Sequence, residues 1–167
     1  MQEHMHTMWM PLARYLQMTS WATAIRTSLW AYPFIQLIHF TGLSLWVGTN
    51  VAGDLRLLGV GKKPQTAGEV RDELFVWNWI GFCIVVLGGF LLFSARGTMY
   101  IINPAFRVKF FMLIPLALIW HIFVQAKTRG WGQFLETPPV AKMAAVLEIV
   151  LWLAVVTAAV EIPNYGG

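Results

Sequence analysis

Between Thr27 and Gly53 the chain reads TSLWAYPFIQLIHFTGLSLWVGTNVAG, a stretch with no charged residue and one imidazole, His39, near its middle. A membrane-spanning helix needs about 20 mostly apolar residues, and this stretch supplies them. The same signal recurs three times. Leu74–Ala95 and Phe110–Ala126 hold no charge, and Met143–Val160 holds only Glu148. Four spans are predicted, near 28–55, 74–95, 105–127 and 140–160. The expected fold class is all-α: an integral membrane four-helix up-and-down bundle over 27–163, preceded by an N-terminal interfacial amphipathic helix within 1–26.

Composition leads to the same class. Only 12% of the 167 residues are charged and 57% are hydrophobic, whereas soluble domains average about 25% charged residues. Mean hydropathy is +0.60, which also excludes a disordered chain. Nine Trp and 11 Phe suit aromatic belts at the two membrane interfaces. A single Cys, Cys83, excludes a disulfide framework and lies in an apolar run, where packing is its expected role. The basic residues are spread over loops, so nucleic-acid binding has no support. No nucleophile–base–acid set, phosphate loop or HExxH is present, which removes conventional hydrolytic and phosphoryl chemistry.

Local signals mark the helix ends. Asn103-Pro104 reads as an N-cap followed by Pro at the first helical position, and Pro138-Pro139 likewise opens the fourth span. Pro115 should kink the third. Gly59–Asp72 reads as the long polar loop. The first 26 residues show no apolar signal region; Met8, Trp9, Leu12, Tyr15 and Leu16 can share one face of an interfacial helix. Four spans put both termini on one side. That side carries Arg14, Arg26, Arg96, Arg107 and Lys109, against Arg56, Lys62, Lys63, Arg71, Lys127, Arg129 and Lys142 on the other. The excess of basic residues predicts that the second side is cytoplasmic and that both termini are periplasmic.

Two histidines carry the functional expectation. His39 in the first span and His121 in the third are ionisable groups inside a bilayer, which are costly and mark function. In an up-and-down bundle the first and third helices run in the same direction at opposite corners. Counted from Arg26 and Lys109, the histidines stand 13 and 12 residues deep, about equal at 1.5 Å of rise per residue. Two imidazoles at one depth are what axial ligation of a b-type haem iron requires. Gly42, Trp46 and Asn50 share the face of His39 and would line a flat cofactor. Arg26, Tyr100, Arg107 and Lys109 gather at the periplasmic end, where they would hold the haem propionates. The alternative for the cations is snorkelling to lipid head groups, and for the histidines bridging between helices. Glu148 is a candidate proton relay, or the partner of a cation. Asp54 and Arg56 are expected to form a structural pair. His4, Met5, His6 and Met8 form a second candidate set, for copper, since thioether and imidazole together suit that metal.

Several stretches resemble a known family. Ser28-Leu-Trp-Ala-Tyr-Pro-Phe-Ile-Gln-Leu-Ile-His39, Gly42-Leu-Ser-Leu-Trp-Val-Gly48, Asp54-Leu-Arg-Leu-Leu-Gly59, Gly89-Phe-Leu-Leu-Phe-Ser-Ala95, Asn103-Pro-Ala-Phe-Arg-Val-Lys109, His121 and Leu151-Trp152 are similar to an uncharacterised bacterial family of small four-helix membrane proteins. The likeness spans roughly residues 20–158. It implies an inner-membrane, multi-pass protein whose two helical histidines match His39 and His121, without implying an activity. A looser likeness is to copper-resistance membrane domains of the D type and to b-type cytochromes. Ala159-Val160-Glu161 departs from the family's usual Gly-Arg pair. The expected function is that of a membrane cytochrome b. It would pass electrons to or from a quinone, a periplasmic cytochrome or dehydrogenase, within a larger complex or a homo-oligomer. A copper-handling or transport protein and a cofactor-free structural subunit are the alternatives.

Overall fold

The computed structural model describes residues 2–61, 65–131, 133 and 136–162, with residues 2–7 described by backbone alone. Among the described residues the chain is all-helical. Helices α1 (Gln2–Gln17) and α2 (Ser20–Thr27) precede α3 (Ala31–Leu57), α4 (Ala67–Ile102), the short α5 (Pro104–Val108), α6 (Ile114–Trp131) and α7 (Pro139–Glu161); a π-helical turn, Lys109–Leu113, joins α5 to α6. Helix α3 packs along α4 and against α7, and α6 packs on α4 and α7. The two histidine-bearing helices α3 and α6 therefore stand at opposite corners.

Each boundary has a local cause. Helix α3 stops because Gly59, at φ 90°, turns into the left-handed region. The Gly59 and Val60 amides can then donate to Arg56 and Leu55 carbonyls. Helix α4 begins at Ala67, seven residues before the expected span, because Thr66 and Glu69 form a reciprocal capping box. The polar loop is shortened to match. Asn103 accepts from the Phe106 amide at 3.0 Å and donates to the Ile162 carbonyl at 2.7 Å, so one side chain caps α5 and ties it to the end of α7. The expected disturbance at Pro115 is expressed one turn earlier, as the π turn. Pro115 has no N–H for the preceding turn, and a π bulge absorbs that loss.

Helix α4 kinks at Arg96, whose φ of −136° and ψ of 30° are non-helical. The kink exposes the Thr98 amide, and Gln17 of α1 fills the gap by accepting from the Thr98 amide at 3.2 Å and hydroxyl at 2.8 Å. Ala13 is fully buried beside Gly97. The N-terminal face is accordingly split. Trp9 packs on Phe111 with the two rings tilted, while Met8, Leu12 and Tyr15 are exposed.

Helices 67–102, 104–131 and 139–161 are long and apolar enough to cross a membrane. Helix α3 is not among them, because Gln36, His39, Thr41, Ser44, Thr49 and Asn50 dilute its apolar run. The distribution of side chains is the reverse of a soluble core. Leu29, Leu87, Ile119 and Leu153 are exposed, whereas Asn50, Asp54, Asn78, His121 and Glu148 are buried. Small residues such as Ala117, Ala144 and Ala145 fill the interior. That arrangement fits lipid outside and close helix contact inside. Cys83 is exposed on α4 rather than packed.

Candidate functional site

Four ionisable side chains from four helices meet in the interior. Asp54, near the end of α3, accepts from the Arg71 guanidinium at 2.6 Å. Arg71, on the second turn of α4, also stands 3.7 Å from Glu148 of α7. Glu148 in turn lies 2.5 Å from Nδ1 of His121 on α6. Asp54 and Glu148 are fully buried and His121 is 1% exposed. Gly53 makes the approach of Arg71 possible: a Cβ there would sit 3.2 Å from the Arg71 chain. One guanidinium faces two carboxylates, so the cluster has one negative charge in excess. A buried uncompensated charge is costly, and a proton shared between the carboxylates or a cation bound beside them would offset it.

Glu148 thus stands beside the Arg71 cation and hydrogen-bonds His121. Arg56 does not pair with Asp54 as expected; its Nε and Nη2 donate to the Gln65 carbonyl. The Asp54–Arg71 pair joins positions 17 apart across a loop, a separation that no local pattern flags. Arg71 also follows a capping box that falls within the stretch expected to be loop.

The His121 carboxylate partner fixes a tautomer. Nδ1–H donates to Glu148, and Nε2 keeps its lone pair, buried and without a hydrogen-bond partner. His39 is half-buried on α3 and packs against α4: its Nδ1 is 2.9 Å from the Val85 carbonyl, an acceptor, so here too Nδ1 carries the proton. Gly88 and Gly89 admit this ring; a Cβ on Gly88 would lie 2.9 Å from the Cβ of His39.

The two imidazoles do not share a level. The His121 ring centroid is 6.3 Å from that of Trp46 and 6.4 Å from that of Trp152. Trp46 lies seven residues past His39 on α3, about 10 Å of rise. Counting depth from cations fails for a structural reason. Arg26 belongs to α2, separated from α3 by the break at 28–30, and Lys109 belongs to the π turn.

The remaining expected site residues fall into three groups. Gly42 is taken up by the α3–α4 contact, where an added Cβ would meet Ile84 at 2.5 Å. Trp46 is the centre of an aromatic cluster with Phe82, Trp152 and His121. Asn50 accepts from Asn78, which also donates to Thr49 at 2.9 Å. At the other end, Arg26 donates to the Gln17 and Ala95 carbonyls at 3.2 and 3.4 Å. Tyr100 bonds the Tyr32 hydroxyl at 2.7 Å, and Arg96 lies over the Tyr32 ring. Arg107 is half-buried and engaged. Lys109 is half-buried, and no hydrogen bond or ion pair holds its ammonium among the described residues. The side chains of His4, Met5 and His6 lie outside the described residues, and Met8 is exposed on α1. Among the described residues no group of three or more His, Cys, Asp or Glu is gathered to hold a metal ion.

The fold and site define an all-helical protein with candidate membrane spans and a buried ionisable core. A family model, a family of unknown function (DUF6644), matches residues 19–163, and the chain belongs to that family. No curated protein and no solved structure matches it.

Proposed function

We propose that the chain is a membrane electron-transfer protein that holds one b-type haem through His39 and His121. The observation that carries the reading is common to both side chains: each Nδ1–H is engaged, by the Val85 carbonyl or the Glu148 carboxylate, so that Nε2 of each would be the nitrogen to hold a metal. Metal-ligating histidines are oriented in this way by outer-shell acceptors. The buried, unpartnered Nε2 of His121 fits a ligand role, and the excess carboxylate charge beside it favours a positively charged centre. When bound, haem supplies a one-electron couple. Glu148 orients His121 and the Val85 carbonyl orients His39. Lys109, half-buried and unpaired, would take a propionate. Because the imidazoles differ in level by about two turns, joint ligation requires α3 to move relative to α6 and the Trp46 ring to yield.

In this reading α3 crosses the bilayer as a fourth span, both termini are periplasmic and the electron partner is a quinone or a periplasmic redox protein. The optical spectrum of the purified protein tests it. The expected result is one haem per chain with a sharp reduced α band, lost in both His39→Ala and His121→Ala. A haem-free protein, or a full low-spin spectrum in either variant, overturns it.

A further inference from the structure

A second site lies on the outer side of the ionisable chain. Between α4 and α6 there is a cleft of about 220 Å³ whose lining includes Arg71, Asp72, Phe75, Ile122, Gln125 and Arg129. We infer that this cleft takes the ring of a lipid-soluble benzoquinone, with a ring carbonyl accepting from Arg71 and Gln125. The choice of a redox-active ring rests on the electron-transfer reading; the shape and polarity of the site do not.

Size comes first. Pockets for drug-sized ligands run from about 300 to 1,000 Å³, so this cleft suits a single substituted ring. Its walls are amphipathic in the required sense. Phe75 and Ile122 are large apolar side chains, 48% and 55% exposed, on two helices apolar enough to span a membrane, so a ring with an isoprenoid tail can enter from lipid. Charge then separates a neutral ring from an anionic head group. The guanidinium of Arg71 is already balanced by Asp54 and Glu148, and Asp72 stands on the rim with Arg129. A phosphate would meet this carboxylate excess, whereas a neutral carbonyl needs only N–H donors. Arg71 has five, of which Asp54 takes one, and the Gln125 amide makes only a long 3.4 Å bond to Asn78. Gln125 is also one helical turn beyond His121, which places a bound ring beside the proposed haem ligand.

Photolabelling of the full-length protein in phosphatidylcholine vesicles with an azido-benzoquinone carrying a ten-carbon tail tests the site without requiring haem. The expected result is saturable label on residues 68–75 and 122–129, displaced by unlabelled quinone and not by excess phosphatidylglycerol. Gln125→Leu should weaken labelling about tenfold, as for one lost hydrogen bond. Ile122→Trp, on an exposed position, should fill the cleft and abolish saturable label with helicity unchanged. Phe75→Trp provides a second filling variant if the first fails to fold. Unsaturable label, label elsewhere, or displacement by phosphatidylglycerol overturns the inference. If haem is absent but saturable label persists, the electron-transfer reading fails and this site stands.

Discussion

Glu148 and His121, on neighbouring helices and 27 positions apart, form a hydrogen bond of 2.5 Å in an interior that admits almost no solvent. The same carboxylate reaches Arg71 and, through it, Asp54. One acidic residue thus sets the tautomer of a buried imidazole and anchors three helices, α4, α6 and α7, to one another.

The first prediction concerns that bond. A carboxylate partner makes the imidazole a stronger donor to a metal and favours the oxidised state. Glu148→Gln keeps the shape and removes the charge. Its haem midpoint potential should rise in a redox titration, with the α band retained; a lower potential would contradict the orientation assigned to His121.

The second concerns the buried ion pair. Removing one partner strands a charge in the interior and costs about 3–5 kcal/mol, whereas removing both costs much less. Arg71→Met leaves Asp54 and Glu148 buried without a cation and should lower the unfolding midpoint strongly in detergent; Asp54→Ala leaves Arg71 with Glu148 and should cost less, and the double variant should recover part of the Arg71→Met loss. Additive losses would show that the two groups are not coupled.

The third separates glycines by what surrounds them. A Cβ on Gly81 would lie 2.7 Å from the Trp46 backbone nitrogen, whereas Gly48 has nothing within 4 Å. Gly81→Ala should destabilise by about 1–3 kcal/mol through helix separation. Gly48→Ala should be neutral or stabilising by up to about 1 kcal/mol, the helix-propensity difference. Thermal unfolding of both variants checks the contrast.

The spans of α4, α6 and α7 are legible in the sequence because an apolar run of about 20 residues without charge is the direct signature of a helix that crosses lipid. The helical placement of His39, His121 and Glu148, the Asn103 cap and the disturbance around Pro115 are legible as well. Relative depth is not, since Arg26 and Lys109 sit beyond a helix break and on a π turn, where 1.5 Å per residue does not carry through. The roles of glycines are likewise hidden. Room for a cofactor and room for a neighbouring helix call for the same residue, and Gly42 serves the second. Side-chain pairing across the 58–66 loop, Asp54 with Arg71, depends on helix packing that no local pattern encodes.

The fourth prediction follows from the unpaired ammonium of Lys109, half-buried at the start of the π turn. A cation near a buried propionate raises the reduction potential, because reduction removes one positive charge from the haem. Lys109→Met should therefore lower the midpoint with little change in the α band. An unchanged midpoint would mean that Lys109 serves only the lipid interface.

Low-temperature electron paramagnetic resonance of the ferric protein tests the central claim most directly, because it reads the axial ligands themselves. The account predicts a low-spin signal in the wild type that becomes high-spin, or disappears with the haem, in both His39→Ala and His121→Ala. A wild type without a haem signal, or a low-spin signal that survives loss of either histidine, would contradict it.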